Sequence, residues 1–257
     1  MTSVLDRIVT RTREDLAARK RDTPLSELRG RIQGPPRDFA AALLTQSLSL
    51  IAEIKPKSPS RGLIRPDAEP EQIARVYDRY ANAISVLCDQ PFFGGGYGLL
   101  ERVRTQTNKP VLAKDFVVDP YQLFEARAHG ADTVLLMVSV LEAGALADLL
   151  ACARDLGMQP LVETHDPGEL GVALRAQALV IGVNSRNLKT LQIDLPAAQD
   201  LLRRVPTDRV RVAESGLDHR DAVDAIRGIA DAALIGTTLM SAPDPAARIE
   251  ELGWRFR

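Results

Sequence analysis

Aromatic side chains are scarce in this chain, at 4% of 257 residues. Proteins that grip single-stranded nucleic acid stack bases on such rings, so this composition argues against that class. An excess of one charge is also missing. Lys and Arg total 33, Asp and Glu total 34, and the formal net charge is -1. That balance removes the electrostatic case for nucleic acid or an anionic membrane surface. Cysteine is limited to Cys88 and Cys152, and histidine to His129, His165 and His219, all scattered. No spacing among them suits a zinc or iron cluster, so no metal is expected. The two thiols read as reduced core residues of a reducing compartment. No apolar run approaches the roughly 18 residues of a membrane span. Arg7, Arg11, Arg13 and Arg19 make the N-terminus basic, but Asp6, Glu14 and Asp15 are interleaved. Transit peptides are poor in acids, so a surface helix with Val4, Leu5, Ile8, Val9, Thr12 and Leu16 on its packing face is expected. The cytoplasm follows as the expected location.

What is present is an ordinary globular composition, 45% hydrophobic and 26% charged, long enough for a sizeable core. Five short apolar runs each end in a charged or amide side chain. They are Leu50 to Lys55, Pro110 to Lys114, Pro160 to Glu163, Leu179 to Asn184 and Val210 to Ser215. Runs of this length between turn residues read as buried strands. A charge at the inner end of a buried strand is costly unless paired or solvated. Five at the same end of successive strands suggest a ring of chemistry around one pocket.

From residue 48 onward a strand-then-helix unit repeats eight times. Expected strands begin with Leu48 to Lys55 and Ala83 to Asp89, and the fourth runs from Thr133 to Ser139. The last is Ala232 to Gly236; expected helices include Leu99 to Thr105 and Arg220 to Ile229. Alternation of this kind requires a parallel sheet with right-handed crossovers. Eight units match a closed (β/α)8 TIM barrel better than a doubly wound sheet, whose glycine fingerprint after the first strand is missing. Residues 1–47 fall outside the repeat and read as two or three short helices. They form an N-terminal helical cap on a single barrel domain spanning 1–257.

In such a barrel the C-terminal strand ends share one face, where active sites sit. Glu53 and Lys55 lie two apart and point to the same side of their strand. Lys114, Glu163, Asn184, Glu214 and Ser215 join them, giving two ammonium groups and three carboxylates in one mouth. Such a set can hold an acid and a base near neutral pH; a buried salt-bridge network is the plain alternative. Ser215-Gly216 and Gly236-Thr237 follow the seventh and eighth strands, where barrels often bind phosphate. Ser58 supplies a further hydroxyl in the first loop.

The segment Glu53-Ile54-Lys55-Pro56-Lys57-Ser58-Pro59-Ser60-Arg61-Gly62 resembles the opening motif of the indole-3-glycerol phosphate synthases. The resemblance continues through Lys114-Asp115-Phe116, Val162-Glu163-Thr164-His165-Asp166, Gly182-Val183-Asn184-Ser185-Arg186-Asn187-Leu188 and Ala213-Glu214-Ser215-Gly216. It ends with Gly236-Thr237-Thr238 and spans nearly the whole chain in order. It implies conversion of 1-(2-carboxyphenylamino)-1-deoxyribulose 5-phosphate to indole-3-glycerol phosphate, carbon dioxide and water, without any cofactor. By the same match Lys114 is the general acid, and Glu163 and Lys55 are the second acid–base pair. Glu53 orients the lysines and Asn184 holds the reacting part. Arg186 and Glu214 belong to the surrounding network, and Ser215 contacts substrate. Phe93, Phe116, Leu135 and Leu188 are candidates for the ring walls, and Gly216, Gly236 and Thr237 for the phosphate cradle.

The chain departs from the family pattern at Pro91 and Gly96 after the second strand, at Ala113 and at Asn187. Gly94, Gly95 and Gly96 in succession are expected to loosen that loop. Three alternatives stay open: a paralogue acting on a substituted anthranilate adduct, a phosphosugar isomerase barrel using Cys88 with an aspartate, and a non-catalytic barrel that binds a phosphorylated ligand. The expected partner is a phosphorylated small molecule, with neither nucleic acid nor membrane. A monomer is the expected form, with association with other tryptophan-pathway enzymes left open.

Overall fold

The computed structural model describes residues 3–58, 62–65, 69–187 and 190–255. Eight parallel strands close into a barrel: β1 (Ser49–Ile54), β2 (Ala83–Leu87), β3 (Val111–Lys114), β4 (Thr133–Met137), β5 (Leu161–Thr164), β6 (Val180–Asn184), β7 (Val210–Glu214) and β8 (Ala232–Ile235). Each strand pairs with its neighbours in chain order, and β1 pairs with both β2 and β8. The sequence-based (β/α)8 expectation is therefore met, with strand bounds within two residues of those expected.

Alternation along the strands sorts side chains into two cores. Ile51, Leu112, Leu161, Val180, Val212 and Leu234 point into the barrel. Leu50, Ala52, Val111, Ala113, Val162 and Ile181 point outward, under the helices. Two residues further along each inward series come the polar groups: Glu53 after Ile51, Lys114 after Leu112, Glu163 after Leu161 and Glu214 after Val212. Register then fixes their heights. Glu163 stands level with Met137 on one side and Gly182 on the other. Glu214 stands level with Asn184 and Leu234.

Thirteen helices are described: α1 (Val4–Asp22), α2 (Leu25–Arg31), α3 (Phe39–Leu43), α4 (Pro70–Tyr80), α5 (Gln90–Phe93), α6 (Tyr97–Arg104), α7 (Pro120–Ala128), α8 (Ala143–Asp155), α9 (Pro167–Arg175), α10 (Leu195–Arg204), α11 (Arg220–Asp224), α12 (Thr237–Met240) and α13 (Pro245–Leu252). The short α5 and α12, and a hairpin pairing Lys57–Ser58 with Gly62–Leu63, were not foreseen, because elements of two to four residues show no periodicity. The helix expected from Arg220 to Ile229 stops at Asp224. Arg220 and Arg227 both bind the Asp224 carboxylate, and Gly228 then turns the chain at φ 80°.

The N-terminal helices are not all short: α1 has 19 residues, opened by a Ser3–Asp6 capping box. Ile8, Thr12 and Leu16 are buried along the expected face. Its C-terminal half is pinned to α7 by Arg19 with Glu125, by Lys20 with Asp119 and by the Tyr121 hydroxyl on the Arg19 and Thr23 carbonyls. Segment α3 plugs the opposite end of the barrel, with Phe39 and Leu43 fully buried against the inward residues. No helix among the described residues is long and apolar enough to cross a membrane.

Candidate active site

A cavity of about 430 Å³ opens at the C-terminal strand ends. It is lined by Glu53, Lys55, Ser58, Phe93, Lys114, Phe116, Leu135, Glu163, Asn184, Arg186, Glu214, Ser215, Gly216, Gly236 and Thr237. Every candidate named from sequence is thus brought to one place except Leu188, which lies outside the described residues.

Lys114 occupies the centre. Its Nζ donates to Glu214 Oε2 at 2.7 Å and lies 3.7 Å from Glu53 Oε2 and 3.9 Å from Glu163 Oε2. Burial alone would drive off its proton, but the three carboxylates overcome that and raise its pKa, so the ammonium stands charged. Lys55 Nζ donates to Glu53 Oε1 at 2.8 Å. Burial disfavours the Glu53 carboxylate, yet Lys55 and Lys114 more than compensate and its pKa is lowered.

The other two carboxylates are pushed apart. Burial works against an ionised Glu163, but His165, Lys114 and Asn184 outweigh it and bring it down to about 2. For Glu214, burial prevails over the pull of Lys114, with Glu163 and Glu53 adding repulsion, and it is pushed up to about 7. Neighbouring carboxyl groups with separated proton affinities are the arrangement that acid–base chemistry uses. Glu53 Oε2, Glu163 Oε1 and Glu214 Oε1 are buried without a hydrogen-bond partner among the described residues. Unsatisfied buried oxygens on residues that line a cavity are costly and suit an incoming donor.

Two glycines, Gly182 in β6 and Gly236 just after β8, make room for these carboxylates. A Cβ on Gly182 would sit 2.2 Å from Glu214 Oε1, and one on Gly236 would sit 2.2 Å from Glu53 Oε1. Opposite the charges lies an apolar wall, where Phe93 and Phe116 pack with centroids 6.0 Å apart and Leu135 lies beside them. At the third side, Ser215 and Gly216 both take left-handed backbone, at φ 66° and 71°. For a serine that conformation is uncommon and concentrates at functional turns. The first turn of α12, beginning at Thr237, also faces the cavity.

Sequence reasoning missed several contributors. Val4, Leu5 and Ile8 of α1 line the cavity, although their periodicity indicated only a packing face. Leu191 and Ile193, in the loop after β6, close another edge, and Met137 completes the inner wall. The glycine loop also differs from expectation. The N–H groups of Gly94, Gly95 and Gly96 bind the carbonyls of Gln90, Asp89 and Leu87. A Cβ on Gly95 would sit 1.8 Å from the Leu87 carbonyl oxygen, so that glycine allows close docking onto β2. Cys88 lies outside the cavity, in the shell between strands and helices. Burial, then the Asp115 carboxylate, pushes its thiol pKa well up, which suits neither a nucleophile nor an acid–base partner.

The model of the indole-3-glycerol phosphate synthase family matches residues 5–252. The chain belongs to that family. An indole-3-glycerol phosphate synthase of Aromatoleum aromaticum is 42% identical, covering 98% of this chain and 99% of its own. One from Kineococcus radiotolerans is 46% identical, covering 97% of this chain and 94% of its own. Among solved structures, a 3-hexulose-6-phosphate synthase superposes with a TM-score of 0.66 over 80% of this chain and 98% of its own, at 18% identity. That distant likeness speaks for the barrel; the synthase family rests on the sequence matches.

Proposed function

We propose that this chain closes the indole ring of tryptophan biosynthesis. It converts 1-(2-carboxyphenylamino)-1-deoxyribulose 5-phosphate to indole-3-glycerol phosphate, with loss of carbon dioxide and water. Membership of the synthase family supports the reaction. The observation that carries the assignment of roles is Lys114, a half-buried ammonium held among three carboxylates beside an apolar wall.

The anthranilate ring lies against Phe93, Phe116 and Leu135. Its carboxylate-bearing carbon attacks the ketone carbon of the sugar chain. Negative charge grows on the ketone oxygen, and Lys114 meets it with a preorganised positive charge and then a proton. An alkoxide is basic enough to take a proton even from an ammonium whose pKa has been raised. Decarboxylation restores the aromatic ring. Dehydration then needs a donor to the departing hydroxyl and an acceptor for the proton lost from the new ring. Lys55 serves as donor and Glu163, ionised at neutral pH, as acceptor. Glu53 fixes both lysines, and Asn184 orients the reacting part. Glu214 holds Lys114 in place, and Arg186 completes the polar rim. Ser58, Ser215, Gly216, Gly236 and Thr237 receive the hydroxyl and phosphate end, where backbone N–H groups at loops and a helix start favour an anion.

The two unpaired thiols, Cys88 and Cys152, support a reducing location such as the cytoplasm. The test is direct: purified protein is given the carboxyphenylamino-deoxyribulose phosphate and indole fluorescence is followed. Product formation is expected. No product at high enzyme concentration overturns the proposal.

A further inference from the structure

Glu53, Glu163 and Glu214 are all buried in the mouth of the barrel, yet among the described residues only Lys55 and Lys114 stand among them as ammonium partners. His165 lies just beyond Glu163, at the end of β5. Its Nε2 is 3.3 Å from Glu163 Oε1, while Lys114 approaches the other oxygen, Oε2, at 3.9 Å. The opposite ring nitrogen, Nδ1, is 3.0 Å from Glu169 Oε2 in the first turn of α9. That oxygen also accepts the His165 backbone N–H at 2.8 Å, which fixes the ring between the two acids. The Nε2–Glu163 approach is an ion-pair contact and not an aligned hydrogen bond, and carboxylates facing both ring nitrogens favour the imidazolium.

We propose that His165 is a positioning residue for the ring closure: it is the third cation of the site, and with Lys114 it brackets Glu163 so that this residue stands ready as a carboxylate. The inference rests on the functional reading above. Burial opposes charge on the ring, but Glu163 and Glu169 prevail and bring its pKa up to about 10. The carboxylates that act on it most strongly are Glu163 from β5 and Glu169 from α9. Without the imidazolium, Glu163 and Glu214 would share a proton more readily, and the site would lose its base and its hold on Lys114 at a higher pH.

Two measurements on the full chain test this. Histidine-selective isotope labelling follows the three rings by NMR, with His165→Gln identifying the signal. The ring is expected to remain an imidazolium at about pH 8. A ring that titrates at or below the ordinary value of about 6.5 overturns the proposal. The second is the pH profile of turnover for His165→Gln. Its acid limb is expected to move up by about 1–3 pH units, because one opposite charge has been removed. The effect should fall on kcat far more than on KM, and His165→Lys should restore part of it. Lower activity with an unmoved limb would mean that the residue only supports the fold, and wild-type behaviour would mean that it does nothing; either result defeats the proposal. If the wild-type protein makes no indole-3-glycerol phosphate, the functional reading fails, while the NMR titration still decides the charge of His165.

Discussion

The two ends of this barrel are built from the same eight strands and could hardly differ more. At the N-terminal end, Phe39 and Leu43 of α3 seal the interior with close apolar packing. At the C-terminal end the same inward series terminate in Glu53, Lys114, Glu163 and Glu214, with three carboxylate oxygens left without a hydrogen bond among the described residues. The plugged end contributes burial and asks nothing of ligand chemistry. The open end keeps charges in a half-dry space, a burden tolerated because they are arranged around one ammonium. Stability and chemistry are thus separated along the barrel axis, as expected where one face of this fold carries function and the other holds it together.

The largest test of that separation is Lys114→Ala. Turnover should fall by roughly 10²–10⁴-fold, the usual worth of a positioned proton donor, with KM changed far less. A variant with near-full kcat would show that Lys114 is not the acid. The converse substitution, Phe39→Ala, should cost about 3–5 kcal/mol in denaturant unfolding while leaving kcat at wild-type level where the protein is folded. If Phe39→Ala lowers kcat as strongly as it lowers stability, the two ends are coupled and the separation fails.

Gly182→Ala probes the boundary between the regions. Its added methyl would come within 2.2 Å of Glu214 Oε1 and force that carboxylate to move. Moving that carboxylate should loosen its 2.7 Å bond to Lys114 and reduce kcat by about tenfold or more, with a smaller change in stability. Pairing it with Glu214→Asp, which withdraws the carboxylate by one methylene, should recover part of the loss. No recovery would indicate that the glycine matters for packing against Leu161 instead.

The smallest expected effect concerns pH. Glu214 is raised from an ordinary value near 4.5 to about 7, so the native state binds a proton over that interval that the unfolded chain does not. Its contribution to stability is therefore present below about pH 4.5 and lost as pH rises through 7. Urea midpoints of Glu214→Gln, compared with wild type at pH 5, 6 and 7, should shift in favour of the variant as pH increases. A difference that is flat with pH would show that Glu214 is not protonated in the native site.

Much of this was legible in the sequence. Apolar runs punctuated by turns gave the strands, their alternation with helices gave the barrel, and the charged side chains at the ends of those runs gave Glu53, Lys114, Glu163 and Glu214. These are local properties: strand periodicity and side-chain chemistry are carried by neighbours in the chain. The family motifs added the order in which they occur. Sequence could not supply what depends on register and long-range contact. The partition of protons between Glu163 and Glu214 arises from burial and from distances to Lys114 and His165, contributed by separate segments. The reach of α1 into the cavity at Val4, Leu5 and Ile8 is set by its anchorage on α7, more than a hundred residues away for Arg19 and Glu125. Sequence determined which groups end the strands; only closure of the barrel decided which carboxyl is held below its ordinary proton affinity and which above it, because that depends on angstrom-scale separations in a desolvated space.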